Sequence, residues 1–210
     1  MTERTKKGEL SAEFLIMAYR HGYFPMADPE TGVISWYSPD PRAIIPLDAF
    51  KISRSLKQVL ARKVFDIKIN TSFETVIGMC AERNETWISE EIKTAYNDLH
   101  FRGFAHSVES WQSGKLVGGL YGVSIGGAFF GESMFSTLPN ASKVALVHLV
   151  ERLRRQGFLL LDTQFMNEHL RQFGAIEIPR QEYLSLLANA LDVNTALAGR
   201  TLGSHVSNHT

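Results

Sequence analysis

The chain has a single cysteine, Cys80, in 210 residues. That excludes an internal disulfide and any zinc cluster built on cysteine pairs, and helical spacing with Phe73, Val76 and Ile77 makes it a buried core thiol. No apolar run approaches the roughly 20 residues that a bilayer span requires. The opening stretch MTERTKKGELSAEF also lacks the apolar centre of a secretory signal, so no membrane association and a cytoplasmic location are expected. Net charge is missing too: Lys+Arg and Asp+Glu both number 22, and the total points to no partner. The seven histidines include no pair with the spacing and acidic neighbour of a zinc site, so no metal is expected. Internal repeats and low-complexity tracts are absent. What is present, 44% hydrophobic and 21% charged residues, is the composition of a soluble globular chain long enough to bury a large core.

Ser11 can cap a helix through Tyr19 and Arg20, with Phe14, Leu15, Ala18 and Tyr19 on one face and Gly22 as its stop. Residues 24–48 then hold Pro25, Pro29, Pro39, Pro41 and Pro46 and read as extended, turn-rich chain. VFDIKIN alternates as a strand, and Ser72 and Ser89 each open a helix. AHSVESWQ, KLVGGLYGVS and GAFFGESMF follow as an antiparallel meander joined by SGK and IGG turns. Asn140 opens an amphipathic helix carrying Leu146, Leu149, Val150 and Leu153, closed by Gly157. An FLLLDTQ strand, a helix over 167–173, a short AIEI strand and a helix after Pro179 complete the series.

From Val64 the order is β-α-α-β-β-β-α-β-α-β. This predicts an α+β fold, a mixed, mainly antiparallel sheet with helices in the order of the GNAT acyltransferases. That GNAT-like catalytic domain is expected over 63–194, after a small N-terminal domain over 1–62. A tail over 195–210 is expected to be disordered, having little to bury. The helix after the meander begins STLPNASKV, without the glycines that let backbone approach a pyrophosphate, which argues against acetyl-CoA as a donor.

Three features carry chemistry. GFLLLDTQF ends an apolar strand with a carboxylate and an amide two positions apart. Side chains at i and i+2 share a face, so Asp162 and Gln164 stand side by side at the end of a core strand. On their own they suit either a reaction centre or a turn cap with an amide holding backbone. Glu132 shares its strand face with Phe130 and Met134, where a charge needs a partner, in a site or in a strand-end salt bridge. Finally, KISRSLKQVLARKVFDIK sets Lys51, Arg54, Lys57, Arg62, Lys63 and Lys68 against Asp66 alone. It is a solvated helix face or a phosphate-contacting patch. Arg152, Arg154 and Arg155 also suit a helix C-terminus.

The stretches YRHGYFPM, WYSPDPRAIIP, ISRSLK, TWIS, GGLYGV, FFGESMFS, NASKVALVHL, LLDTQF and FGAIEIPRQEY resemble, in order, the bacterial leucyl/phenylalanyl-tRNA–protein transferase family. The resemblance runs from about Leu10 to Leu187, and GESMFS…ASK with LDTQ carries it. It implies an enzyme that moves Leu, Phe or sometimes Met from aminoacyl-tRNA to proteins whose N-terminus is Lys or Arg. The product is marked for degradation by the N-end rule, and neither metal nor cofactor is used. The implied centre is Asp162 and Gln164, with Glu132 holding donor or acceptor nearby. An amide is a very weak base. Gln164 is therefore expected to align the amine, Asp162 to attract the incoming ammonium, and the 2′-hydroxyl of the terminal ribose to shuttle the proton.

The implied donor pocket is Met26, Trp87, Leu120, Phe129, Met134, Leu149, Leu153 and Leu161. Met26 stands where the family often has Trp, and Leu149 and Leu153 where it can have Phe. Fewer rings favour Leu over Phe, although one methylene changes selectivity by only about 1–3 kcal/mol. Under this reading Lys51, Arg54, Lys57, Arg62 and Lys63 grip the tRNA acceptor stem. A GNAT-type N-acetyltransferase and a non-catalytic aminoacyl-tRNA-binding protein, tolerant of losing Asp162 or Gln164, are the alternatives.

Overall fold

A computed structural model describes residues 10–82 and 86–197. The chain first forms α1 (Ala12–Arg20), β1 (Phe24–Ala27), β2 (Ile34–Tyr37), β3 (Arg42–Ile44), α2 (Arg54–Arg62) and β4 (Asp66–Ile69). It continues through α3 (Phe73–Ala81), α4 (Glu90–Phe101), β5 (Ala105–Gln112), β6 (Lys115–Ile125) and β7 (Ala128–Ser136). The last elements are α5 (Ala141–Arg155), β8 (Leu160–Gln164), α6 (Glu168–Arg171), β9 (Ile176–Ile178) and α7 (Arg180–Leu191). From β4 onward this is the expected α+β order.

Local chemistry explains most helix starts. Ser11 accepts from Phe14 N at 3.2 Å, Ser89 from Ile92 N at 3.3 Å and Asn167 from Leu170 N at 2.9 Å, each supplying a partner for an orphan N–H of the first turn. Two expected caps are replaced by other partners, one of them distant in sequence. Ser72 makes no side-chain cap bond; Glu109 of β5 accepts from Thr71 N at 2.9 Å and Ser72 N at 2.8 Å instead. Asn140 adopts φ 69° without capping α5, and Ser142 N donates to Ser136 Oγ at 3.2 Å.

Seven strands form one sheet in the order β4-β5-β6-β7-β8-β3-β9. Every adjacent pair is antiparallel except β7 and β8, whose parallel pairing requires the crossover that α5 provides. Gly118 of β6 lets α5 begin flush against the sheet: a Cβ there would stand 2.5 Å from Ala141 Cβ. Helices cover both faces. One core gathers Leu15, Tyr19, Val76, Ile77, Tyr96, Phe130, Leu160 and Tyr183, and Cys80 is buried within it. The other gathers Leu56, Leu120, Phe129, Val147, Leu149, Leu153, Leu161 and Phe173.

The stretch expected as a separate N-terminal domain contributes to this sheet. β1 and β2 make a two-stranded hairpin, but Arg42–Ile44 forms β3 between β8 and β9. Three residues between Pro41 and Pro46 are too few to show a strand period. At the other end, Thr195 Oγ1 donates to Gln156 O at 2.8 Å, Arg152 Nε donates to Leu197 O at 2.6 Å, and Leu197 is buried. The start of the expected tail is therefore docked on the end of α5, because Leu197 has a core to enter. Residues 198–210 lie outside the described residues.

Candidate active site

A fork in the sheet makes the site. β7 and β8 pair as far as Phe130↔Asp162, after which β7 follows β6 alone while β8 follows β3. Between them opens a cleft of about 840 Å³ lined by Glu132, Met134, Thr163, Gln164 and Phe165, with the start of α5 at Ser142.

Glu132 stands on one lip. Tyr121 of β6 pairs with Ser133 and Gly122 with Gly131, so Glu132 is the extra residue of a β-bulge, a device that re-aims a side chain. The bulge also breaks the expected alternation: Phe130 enters one core while Met134 packs against the other, so Glu132 does not share a face with both. Its Oε1 accepts from Tyr19 OH at 2.7 Å and from Gln164 Nε2 at 3.0 Å, and its Oε2 accepts from Tyr96 OH at 3.4 Å. The two tyrosine hydroxyls also hydrogen-bond to each other. Burial pushes the Glu132 carboxyl up to about 8. The Tyr19 bond opposes this, the Asp162 charge adds to it, and Arg42 and Tyr96 oppose it. A carboxyl so placed exchanges protons near neutral pH.

Asp162 has a different environment. It is fully buried, and Arg42 forks onto it, Nε to Oδ1 at 3.0 Å and Nη2 to Oδ2 at 2.6 Å. Tyr183 OH donates to Oδ2 at 2.8 Å and Gln164 N to Oδ1 at 2.9 Å. Four donors occupy the carboxylate's acceptor sites, and the guanidinium neutralises its charge. The expectation that Asp162 attracts an incoming ammonium therefore fails on geometry, because its field is spent on Arg42. Arg42 is itself fixed by Gly22 O at 3.0 Å and by the rings of Phe24 and Tyr183, at 4.8 and 4.5 Å.

Gln164 has φ 60°, and Phe165 N bonds back to Thr163 O at 2.7 Å. This conformation is rare for a non-glycine residue and costs on the order of 1–3 kcal/mol unless its surroundings impose it. Asp162, gripping Gln164 N, imposes it. The result aims the Gln164 carboxamide across the fork at Glu132. Asp162 and Gln164 are thus close, but the left-handed turn at Gln164 ends the shared strand face expected of them: Asp162 faces Arg42 and Gln164 faces the cleft.

Of the expected pocket residues, Met26, Trp87, Leu120, Met134, Leu149 and Leu161 line the cleft, joined by Met79 and Leu146. Phe129 and Leu153 do not, and both are fully buried. The Phe129 ring fills the space over Gly122, where a Cβ would meet its Cε1 at 2.5 Å. Leu153 lies one helical turn past Leu149, under the closed part of the sheet. Lys51, Arg54, Lys57, Arg62 and Lys63 are all exposed, on or beside α2, with no ion pair among the described residues. Lys51 connects toward the cleft: its N bonds Phe173 O at 2.9 Å, Phe50 stacks on Phe173, and α6 leads back to the cleft residues His169 and Leu170. Arg154, by contrast, is held by Leu47 O.

Arg42, Tyr19, Tyr96 and Tyr183 were not singled out by sequence. Tyr19 and Tyr96 read as members of apolar helix faces, yet a buried phenol needs a polar partner, and that need is a legible signal. Arg42 lies in PRAIIP, where a lone cation among apolar residues is the corresponding clue.

A carboxyl with raised proton affinity, a carboxamide fixed beside it and a wide, largely apolar cleft can hold an amine against an acyl donor. A family model described as leucyl/phenylalanyl-tRNA protein transferase matches residues 44–188, and the model of its N-terminal domain matches residues 8–40. The chain is 53% identical over 186 residues to the leucyl/phenylalanyl-tRNA–protein transferase of Salinibacter ruber, covering 89% of this chain and 82% of that one. It is 57% identical over 182 residues to that of Gloeobacter violaceus, covering 87% and 94% respectively. The chain belongs to the leucyl/phenylalanyl-tRNA–protein transferase family and is an aminoacyltransferase.

Proposed function

We propose that this protein works in the cytoplasm, moving leucine, and also phenylalanine or methionine, from aminoacyl-tRNA to the α-amine of proteins that begin with Lys or Arg. The product would enter N-end-rule degradation. The observation that carries this reading is the fork that holds Gln164 3.0 Å from Glu132 beside a cleft of about 840 Å³. An aminoacyl ester is already activated, so the protein needs only to hold a neutral amine against it, and the chemistry requires no metal or cofactor.

In the proposed step Gln164 aligns the amine, and Glu132 in its ionised form, whose share grows as pH approaches 8, takes the amine proton. The N–C bond forms as the ester C–O bond breaks, and the proton passes to the departing ribose oxygen through the neighbouring 2′-hydroxyl. Asp162 and Arg42 act by holding the Gln164 turn. Met26, Leu120, Met134, Leu149 and Leu161 seat the donor side chain, and a pocket with few rings favours leucine. Lys51, Arg54, Lys57, Arg62 and Lys63 hold acceptor-stem phosphates without reading sequence.

The test supplies labelled Leu-tRNA and a protein beginning with Lys or Arg, with labelled acetyl-CoA as the control donor. Label on the acceptor from the tRNA alone is the expected result. Transfer from acetyl-CoA would instead favour an N-acetyltransferase, and tRNA binding without transfer a non-catalytic binding protein.

A further inference from the structure

Two exposed rings, one lining the cleft and one joined to it through Phe24, have no part in the scheme above. Phe165 lines the cleft and is 45% exposed, and Tyr37 is 41% exposed. Both rest on the buried ring of Phe24, Tyr37 stacked at 6.1 Å and Phe165 edge-on at 5.6 Å. Phe165 directly follows the left-handed Gln164, so the turn that aims the carboxamide also sets this ring at the rim. Isolated exposed rings are ordinary; two that share a support beside a reaction centre form a surface.

We infer that Phe165 and Tyr37 seat the cationic side chain of the acceptor's N-terminal residue, an inference that rests on the Lys or Arg acceptor proposed above. That side chain and the attacking amine belong to one residue, so both must fit within a side chain's length of Gln164. Aromatic faces attract guanidinium and ammonium groups, and Phe24 in this same cluster already carries the Arg42 guanidinium 4.8 Å from its centroid. Charge separates the acceptor from the tRNA. Residues 24–41 contain no Lys or Arg, while Asp28, Glu30 and Asp40 are exposed there and Glu82 lines the cleft. Among the described residues the basic side chain hydrogen-bonded to this stretch is Arg180, whose Nη1 donates to Ser38 O at 3.2 Å while its backbone N–H donates to Asp40 Oδ1 at 3.1 Å. This flank attracts a cationic N-terminus and repels phosphates, which are drawn to the basic side chains of α2.

The experiment measures transfer from Leu-tRNA to two peptides identical except for N-terminal arginine or its uncharged isostere citrulline. In Phe165→Leu, KM for the arginine peptide should rise roughly 2- to 30-fold, the span of cation–π strength from exposed to desolvated sites. KM for the citrulline peptide should change less and KM for Leu-tRNA not at all, and Phe165→Tyr should retain tight arginine-peptide binding. Tyr37→Leu should act in the same direction. A raised KM for Leu-tRNA would make the ring a seat for a nucleotide base and overturn the inference, as would equal weakening of both peptides or no change. In each of those cases the transferase reading stands; a wild-type protein that transfers to neither peptide overturns both.

Discussion

Glu109 and Glu132 flank the same central strand, β6, and their surroundings could hardly differ more. Glu109 accepts Thr71 N at 2.9 Å, Ser72 N at 2.8 Å, Ser107 Oγ at 2.8 Å and Trp111 Nε1 at 3.0 Å, with the Thr71 hydroxyl as a fifth donor. Burial alone would raise its proton affinity, but these donors outweigh it and hold the carboxyl below its ordinary range. Among the described residues Glu132 meets two phenols and one carboxamide, with no backbone N–H and no ion-pair partner, and burial wins. A satisfied carboxylate stitches α3 to the sheet. An under-satisfied one, opening on a cleft, is left with protons to exchange.

The fork also contains a satisfied carboxylate, and removing it should have the largest effect. Asp162→Ala leaves the Arg42 guanidinium buried and unpaired, which should cost about 3–5 kcal/mol in denaturant unfolding and abolish most transfer. A stable, active variant would break the division of labour between Asp162 and Glu132. Next, Gln164→Ala should lower kcat on the order of 100-fold or more, as loss of a positioned polar group in a reaction centre does, with Leu-tRNA binding unchanged. Glu109→Gln should cost roughly 1–3 kcal/mol of stability by leaving donors unmatched, while the folded fraction keeps its KM values; altered KM values would show that the β5 region is not purely structural.

A smaller effect concerns pH. Folded Glu132 keeps its proton up to about 8, whereas the ordinary carboxyl releases it near 4.5. The folded state therefore binds the extra proton between those values, and unfolding free energy should fall as pH rises through that window. Glu132→Gln should flatten this decline in denaturation series run from pH 5 to 8 (roughly the window in which the linkage acts). The smallest change is expected on α2: Lys57→Ala should weaken Leu-tRNA binding modestly and reduce the salt slope by about one if it contacts a phosphate.

Much of the site was legible because it is local. Asp162 and Gln164 sit on one short strand, so their nearness is legible before any contact is known, although the left-handed turn at Gln164, which no period reveals, sends the two side chains to different partners. Other parts depended on residues distant in sequence. The bulge at Glu132 arises from register against β6, so the alternation of AFFGESMFS misassigned its neighbours. Arg42 lies 120 positions from Asp162, and the three-residue β3 that carries it has no period to read. Phe129 and Leu153 stand at positions where the family resemblance implies a pocket; both are fully buried in the core instead, the Phe129 ring over Gly122.

The sequence by itself determined the order of elements from β4 onward, the caps at Ser11 and Ser89, and the nearness of acid and amide, because each depends on neighbours within a turn or a strand. Tertiary structure alone decided what each carboxyl of the fork meets. The partners come from elements distant in sequence: Arg42 and Tyr183 reach Asp162, and among the described residues Tyr19, Tyr96 and Gln164 reach Glu132, whose burial raises its proton affinity.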